Sequence, residues 1–367
     1  MRICACSHTT GTIIEMPGGT RVYRGPTPLG VVISICTILF SCSVVHSFEQ
    51  CLVSSVPVST CDMGVKSRVL IFGGTGYIGK HIVRASVAEG HPTVVFVRSS
   101  TLQTKAELVG SFKDIGVSIV EGSLDDHAGL VAAIKEVDIV ISAVGGPSVP
   151  EQEKIISAIK EAGNVKRFLP SEYGTDVDYA KPLEPLKTIY SRKVAIRRKI
   201  EEAGIPYTYI SANCFAGYTL SNLMQFGKPS PPRDKVVIYG TGDKKAVFLK
   251  EEDIGTFTIK SSDDPRTLNK VVYLRPPQNI LTVNEVVALW EKKIGQSLEK
   301  EFVSEEDMIE QIKTAPIPKN IVLSTVHNIF VMGDQYNFKV GENGVDSNEL
   351  FPDVKYTSAS EYLDQFI

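Results

Sequence analysis

VLIFGGTGYIGKHIV, residues 69–83, is the stretch on which the reading of this chain turns. Val69 to Phe72 is continuously apolar, the mark of a strand buried on both faces. The glycine loop Gly73, Gly74, Thr75, Gly76, Tyr77, Ile78, Gly79 follows at once, and a helical pattern runs on from Gly79 to Glu89. In a Gly-x-x-Gly-x-x-Gly loop one glycine makes the tight turn, one admits a pyrophosphate close to the backbone, and one lets helix and strand pack closely. The helix start then offers unpaired N–H groups and a positive dipole end to phosphate. Residues 73–79 are therefore the expected cradle of a dinucleotide.

Downstream, short apolar runs alternate with helical patterns. Strands are expected at 93–97, 117–120, 139–143, 167–169 and 207–211. Helices are expected at 105–115, 130–135, 152–162 and 186–203. This rhythm specifies an α/β fold, a Rossmann-type doubly wound parallel sheet. Residues 63–226 carry mainly the dinucleotide-binding part. Residues 227–367 read as a smaller C-terminal substrate-binding region laid over the sheet's carboxyl edge. Within it, 236–239, a Gly-Thr-Gly turn and 246–249 suggest a hairpin. A strand near 271–274 and helices near 283–293 and 321–331 complete the pattern.

The end of the second strand selects the nucleotide. NAD enzymes usually place a carboxylate there to hold the ribose hydroxyls. Here Arg98 stands in that place, followed by Ser99, Ser100 and Thr101, with Lys105 a few residues on. A guanidinium among hydroxyls suits a 2′-phosphate, so NADPH is the expected cofactor. The alternative is a pair of solvated surface cations.

In the helix from Leu186, the residues Leu186, Ile189, Tyr190, Lys193, Ile196 and Ile200 share one face by their spacing. Lys193 thus lies on an apolar stripe. Loss of hydration there lowers an amine's pKa and prepares it as a proton acceptor near neutral pH. The competing reading is a lysine that reaches out of the stripe or pairs with Asp176, Asp178 or Glu184. Arg197, one turn further, is placed to meet a phosphate or a carboxylate. Asn213, Cys214, Phe215 and Tyr218 follow a buried strand at the edge where α/β ligands bind. Asn213 and Tyr218 are candidate substrate-lining residues, and Cys214 reads as packing. His327 is a weaker pocket candidate. No metal-ligand spacing occurs in the sequence.

The formal net charge is −3 over 367 residues, which provides no basic field for nucleic acid. Six of the seven cysteines precede Met63, so the body reads as a reduced, cytoplasmic enzyme. Residues 1–62 stand apart as an extension outside the fold. LGVVISICTILFSCSVVHSF (29–48) is mostly apolar and uncharged, with Arg21 and Arg24 upstream. It fits a signal anchor, a cleaved targeting peptide, or sequence upstream of the natural start. The third is preferred, because MGVKSR (63–68) leads directly into the first strand. Apart from an anchor retained at 29–48, no membrane association is expected.

Several segments together identify a family. They are GGTGYIGKHIV (73–83), VDIVISAVG (137–145), IKEAGNVKRFLPSEYGTDVD (159–178), VAIRRKIEEAGIPYTYISANCFAGY (194–218), EEDIGTFTI (251–259), DDPRTLNK (263–270) and ALWEKKIG (288–295). From Met63 to Ile367 the chain resembles the plant isoflavone reductase-like family, an NmrA-type group of atypical short-chain dehydrogenases. The branch it looks most like is the phenylcoumaran benzylic ether reductases. The resemblance implies NADPH, with Lys193 catalytic, Arg98 and Lys105 on the 2′-phosphate, and Arg197 near the cofactor. It implies a small aromatic substrate at Tyr218 and leaves room for a homodimer. The implied reaction is reduction of a benzylic ether of a phenylcoumaran-type lignan through a quinone methide. Reduction of an isoflavone or of another phenylpropanoid double bond or ester is the alternative. A non-catalytic NADP(H) sensor is the alternative of another class. The segment TLSNLMQFGKP (219–229) departs from the family's usual Phe-Leu-Pro-rich version, so the substrate stays open.

Overall fold

The structure, a computed structural model, describes residues 3–4, 12–15, 21–24 and 66–367. The chain divides into two compact units, Met1–Asp62 and Met63–Ile367. In the first, Ile3–Cys4, Thr12–Glu15 and Arg21–Arg24 form a small antiparallel sheet. The apolar run 29–48, with its expected anchor or signal role, lies outside the described residues. Among the described residues, no helix is long and apolar enough to cross a membrane.

The second unit opens with β1 (Val69–Phe72), α1 (Gly79–Ala88), β2 (Thr93–Val97), α2 (Ser99–Thr104) and α3 (Ala106–Asp114). It continues through β3 (Ser118–Glu121), α4 (His127–Lys135), β4 (Ile139–Ser142), α5 (Gln152–Ala162), β5 (Arg167–Leu169), α6 (Leu186–Glu202) and β6 (Thr208–Ser211). The first five strands form a parallel sheet in the order β3-β2-β1-β4-β5. The period-two alternation of each strand divides its apolar residues between two cores. Val69, Ile71, Val95, Val97, Ile139 and Ile141 face Ile82 and Val83 of α1 and Phe112 of α3. Leu70, Phe72, Val94, Phe96 and Val140 face Leu130 and Ile134 of α4, Ile155 and Ile159 of α5, and Ile196 and Ile200 of α6. Burial on both faces is why these strands read as unbroken apolar runs.

Two segments of the later chain return to this sheet. β6 pairs in parallel with β10 (Lys270–Tyr273), which pairs in parallel with β13 (Gly344–Asp346). A parallel bridge between Phe168 and Tyr207 joins this trio to β5.

Over the carboxyl edge lies a third core around the fully buried Trp290. It is built from β7 (Cys214–Phe215), α7 (Ala216–Thr219), β8 (Lys235–Tyr239), β9 (Lys245–Leu249), α9 (Val283–Ile294), α10 (Glu305–Thr314) and α11 (Lys319–Val326).

The expected hairpin is not formed. β8 pairs in parallel with β12 (Glu299–Val303), and β9 pairs with β7 and with β11 (Ile280–Thr282). Gly240 and Gly242 both have positive φ and turn the chain from one sheet into another. The expected helix at 321–331 is α11 running into a π-helical turn at His327–Val331. The sequence reading did not foresee α8 (Glu251–Ser262), which packs on α1.

Candidate active site

A cleft of about 740 Å³ opens at the carboxyl ends of β1, β2 and β4. Gly73, Thr75 and Gly76 line one side, Arg98, Ser100, Thr101, Thr104 and Lys105 a second, and Val144 to Ser148 a third. The loop needs its glycines here. A Cβ on Gly73, whose φ is +74°, would sit 2.7 Å from the carbonyl carbon of Ala143. A Cβ on Gly79 would sit 2.1 Å from the carbonyl oxygen of Gly73. The amides of Tyr77, Ile78 and Gly79, at the mouth of α1, make no backbone hydrogen bond among the described residues. Helix-start amides of this kind bind anions.

Arg98 is exposed on the cleft wall. Lys105 donates through Nζ to the carbonyl of Thr75 at 2.7 Å, so it braces the glycine loop from across the cleft. A bare glycine cradle, open amides and a cationic far wall fit a 2′-phosphorylated dinucleotide.

Lys193 does not line this cleft. It lies beside it, linked through main chain. Ser171 Oγ donates to the carbonyl of Val144, a cleft residue, and the carbonyl of the next residue, Glu172, accepts from Lys193 Nζ. Burial pushes the Lys193 ammonium pKa down, the Glu172 carboxylate opposes that shift, and Arg197 adds to it. None of the three alternative partners named from the sequence holds this lysine: Asp176 and Asp178 are taken by Arg197, and Glu184 caps Thr188.

Arg197 requires a correction. It is 1% exposed and lines no part of the dinucleotide cleft. Its guanidinium reaches Glu172 and Asp176 at 2.7 Å and Asp178 at 3.0 Å, and it lies over the ring of Tyr209. Three carboxylates and an aromatic face match its charge inside the fold. Asn213 is also corrected. It is buried at φ +56°, and its amide donates to the carbonyl of Leu274, so it is a turn residue tying β6 to β10. Ile78 contributes only its backbone, because its side chain is in the core.

Tyr77 turns away from the cleft. Its ring stacks on Tyr218 at 4.4 Å, and its hydroxyl donates to Glu251. Tyr218 is half exposed at the start of the edge region. His327 is buried against Glu305, 2.9 Å away. Glu251, Glu172 and Ser171 were missed in the sequence. Their partners are 21 to 174 residues distant, and no local spacing signals them.

A glycine-lined cleft at the carboxyl edge of a doubly wound sheet, with a cationic wall and a desolvated lysine beside it, defines a Rossmann-type NADPH-linked oxidoreductase. The NmrA-like family model matches residues 65–363, and the chain belongs to that family. It is similar to a phenylcoumaran benzylic ether reductase of Ginkgo biloba, 60% identical over 82% of this chain and 99% of the relative. It is also similar to eugenol synthase 2 of Clarkia breweri, 58% identical over 83% of this chain and all of the relative. Among solved structures, one entitled AtPrR2 with NADP+ and (+)pinoresinol superposes with TM-score 0.80 at 44% identity, over 83% of this chain and all of that one.

Proposed function

We propose that this chain uses NADPH to reduce the benzylic ether of phenylcoumaran-type lignans, and that it does so in the cytoplasm. The observation that carries the reading is a desolvated Lys193 held by the Glu172 carbonyl one step behind the dinucleotide cleft. NADPH in that cleft supplies the hydride. The amides at the mouth of α1 and the Arg98 wall hold its phosphates, and Lys105 keeps the glycine loop in place.

Lys193 Nζ withdraws the proton of a phenol para to the benzylic ether. Its desolvation favours the neutral amine able to do this. The electrons released into the ring expel the ether oxygen as a phenolate, which takes up a proton from solvent, and leave a quinone methide; hydride accepted at its benzylic carbon would restore the aromatic ring as a phenolate, to which the Lys193 ammonium would return its proton. Arg197, through Glu172, fixes the carbonyl that aims the lysine. Lys193 is thus the catalytic residue, and Arg197 a positioning one.

The test is NADPH oxidation with a panel of phenylcoumarans, lignans, isoflavones and phenylpropenyl esters. Phenylcoumarans are expected to turn over fastest. Tight NADPH binding with no oxidation on any member would favour the sensor reading and overturn this one. Reduction of a phenylpropanoid ester is the second reading, favoured by identities of 57% and 58% to two eugenol synthases. Preference for the ester in the same panel would select it.

A further inference from the structure

Tyr77 and Glu251 stand 174 residues apart in sequence and in contact in space. Glu251 opens α8 and is buried at 5% exposure, yet it has no cationic partner within ion-pair distance among the described residues. Instead its Oε1 accepts from the Tyr77 hydroxyl at 2.5 Å and from the backbone N–H of Gly217 at 3.0 Å. The position of Gly217 admits no side chain. A Cβ there would lie 2.2 Å from the Tyr77 hydroxyl and 2.7 Å from Glu251 Oε1.

The three residues therefore close a clip across two parts of the molecule. Tyr77 belongs to the glycine loop, and Gly217 belongs to the edge segment that carries Tyr218. The clip's foundation is rigid, because α8 meets α1 where a Cβ on Gly255 would be 2.7 Å from the His81 carbonyl oxygen.

What the clip holds is a platform. The rings of Tyr77 and Tyr218 are 4.4 Å apart and 19° from parallel, and Phe215 stacks near both at 6.0 Å. Tyr218 remains 53% exposed with one face covered by Tyr77. Its segment begins at Asn213, whose N–H donates to the carbonyl of Gly174 at 3.1 Å, two residues past the Glu172 carbonyl that holds Lys193. A ring fixed on one face and open on the other, in a segment tied to the stretch that holds Lys193, can receive an aromatic ring by offset stacking.

We propose that Glu251, with Tyr77 and Gly217, is a positioning device that sets the Tyr218 ring as a stacking wall for the phenolic substrate. This rests on the reading of the chain as a phenylpropanoid reductase. The clip acts by geometry, not by charge, since a single oxygen accepts both hydrogen bonds. Burial and the neighbouring carboxylate also push the Tyr77 hydroxyl pKa upward, which keeps it a donor to Glu251.

The experiment compares Glu251→Ala and Glu251→Gln with wild type in the full chain. It measures thermal midpoint, NADPH affinity by nucleotide fluorescence, and KM and kcat for the best phenolic substrate. Glu251→Ala is expected to raise the substrate KM at least fivefold, with NADPH affinity and kcat within about twofold of wild type. Glu251→Gln keeps the accepting oxygen and is expected to restore the KM. An unchanged KM in Glu251→Ala overturns the proposal, as does a KM rise matched by equal loss of NADPH affinity or by failure of Glu251→Gln to rescue.

A wild-type chain that oxidises no NADPH with any phenylpropanoid would instead sink the parent reading. The clip is then judged by equilibrium binding of a phenylcoumaran to the NADP+-loaded protein. Weakening in Glu251→Ala but not in Glu251→Gln sustains it, and equal binding in all three overturns it.

Discussion

Lys193 and Arg197 lie one turn apart on α6, the first partly and the second fully buried, and their surroundings give them opposite roles. Arg197 has two fully buried carboxylates and a half-exposed third within 3.0 Å, so its charge is matched where it stands. Lys193 has one carbonyl oxygen and a lowered pKa, so its neutral form is accessible for proton transfer. Lys193→Ala is expected to bind NADPH as wild type does and to lose turnover by at least about a hundredfold, the usual scale of a positioned general base. Retained turnover in that variant removes the lysine from the mechanism. A second buried group has consequences for stability. Asp253, at the start of α8, accepts from the Thr357 N–H, and burial pushes its carboxyl pKa from 3.8 up to about 6. The folded chain therefore keeps a proton that the unfolded chain releases between those values. Stability from this group is full below pH 3.8 and is lost as pH rises through about 6, by roughly 3 kcal/mol at most. Asp253→Asn keeps an acceptor for Thr357 and removes the charge. Thermal melts should show it more stable than wild type at pH 7.5, with the gap closing toward pH 4; equal midpoints at both would refute the assignment.

At the scale of elements, the sequence was most legible where burial is symmetrical. β1, β2 and β4 are apolar on both faces, and α5 and α6 carry apolar stripes, so their existence and order could be read directly. α8 was not legible, because it is wedged against α1 and buried on most sides, which leaves no amphipathic period to detect. The false hairpin had the opposite cause. Its turn chemistry is genuine, but the partners of β8 and β9 lie some 33 to 64 residues away, upstream as well as downstream, and local signals cannot name them. The site divides in the same way. The loop 73–79 and the stripe holding Lys193 are local patterns, whereas Arg197's commitment to Glu172 and Asp176 and the Tyr77–Glu251 contact are products of tertiary closure. The turn after β2 is a local signal with a direct test. Arg98→Ala should weaken NADPH binding by roughly ten- to a hundredfold, as expected for loss of one charge-assisted contact. NADH binding should be almost unaffected in fluorescence titrations. An equal loss for both nucleotides would assign Arg98 to the shared part of the cofactor.

The whole molecule places this chemistry in a body whose apolar clusters, among the described residues, draw on positions 69 to 363. The relatives point the same way. The Ginkgo biloba reductase aligns over 304 residues that cover 99% of its own length, and the family model begins at residue 65. Cooperative stability is expected to reside in Met63–Ile367, which carries these clusters. A chain starting at Met63 is expected to melt within about 2 °C of the full-length protein, bind NADPH with the same affinity and turn over the same substrates. Calorimetry and nucleotide titration of the two chains side by side provide the check. A midpoint lowered by more than several degrees, or NADPH binding weakened in the shorter chain, would show that the N-terminal unit supports the fold or the cleft and is not an extension outside it.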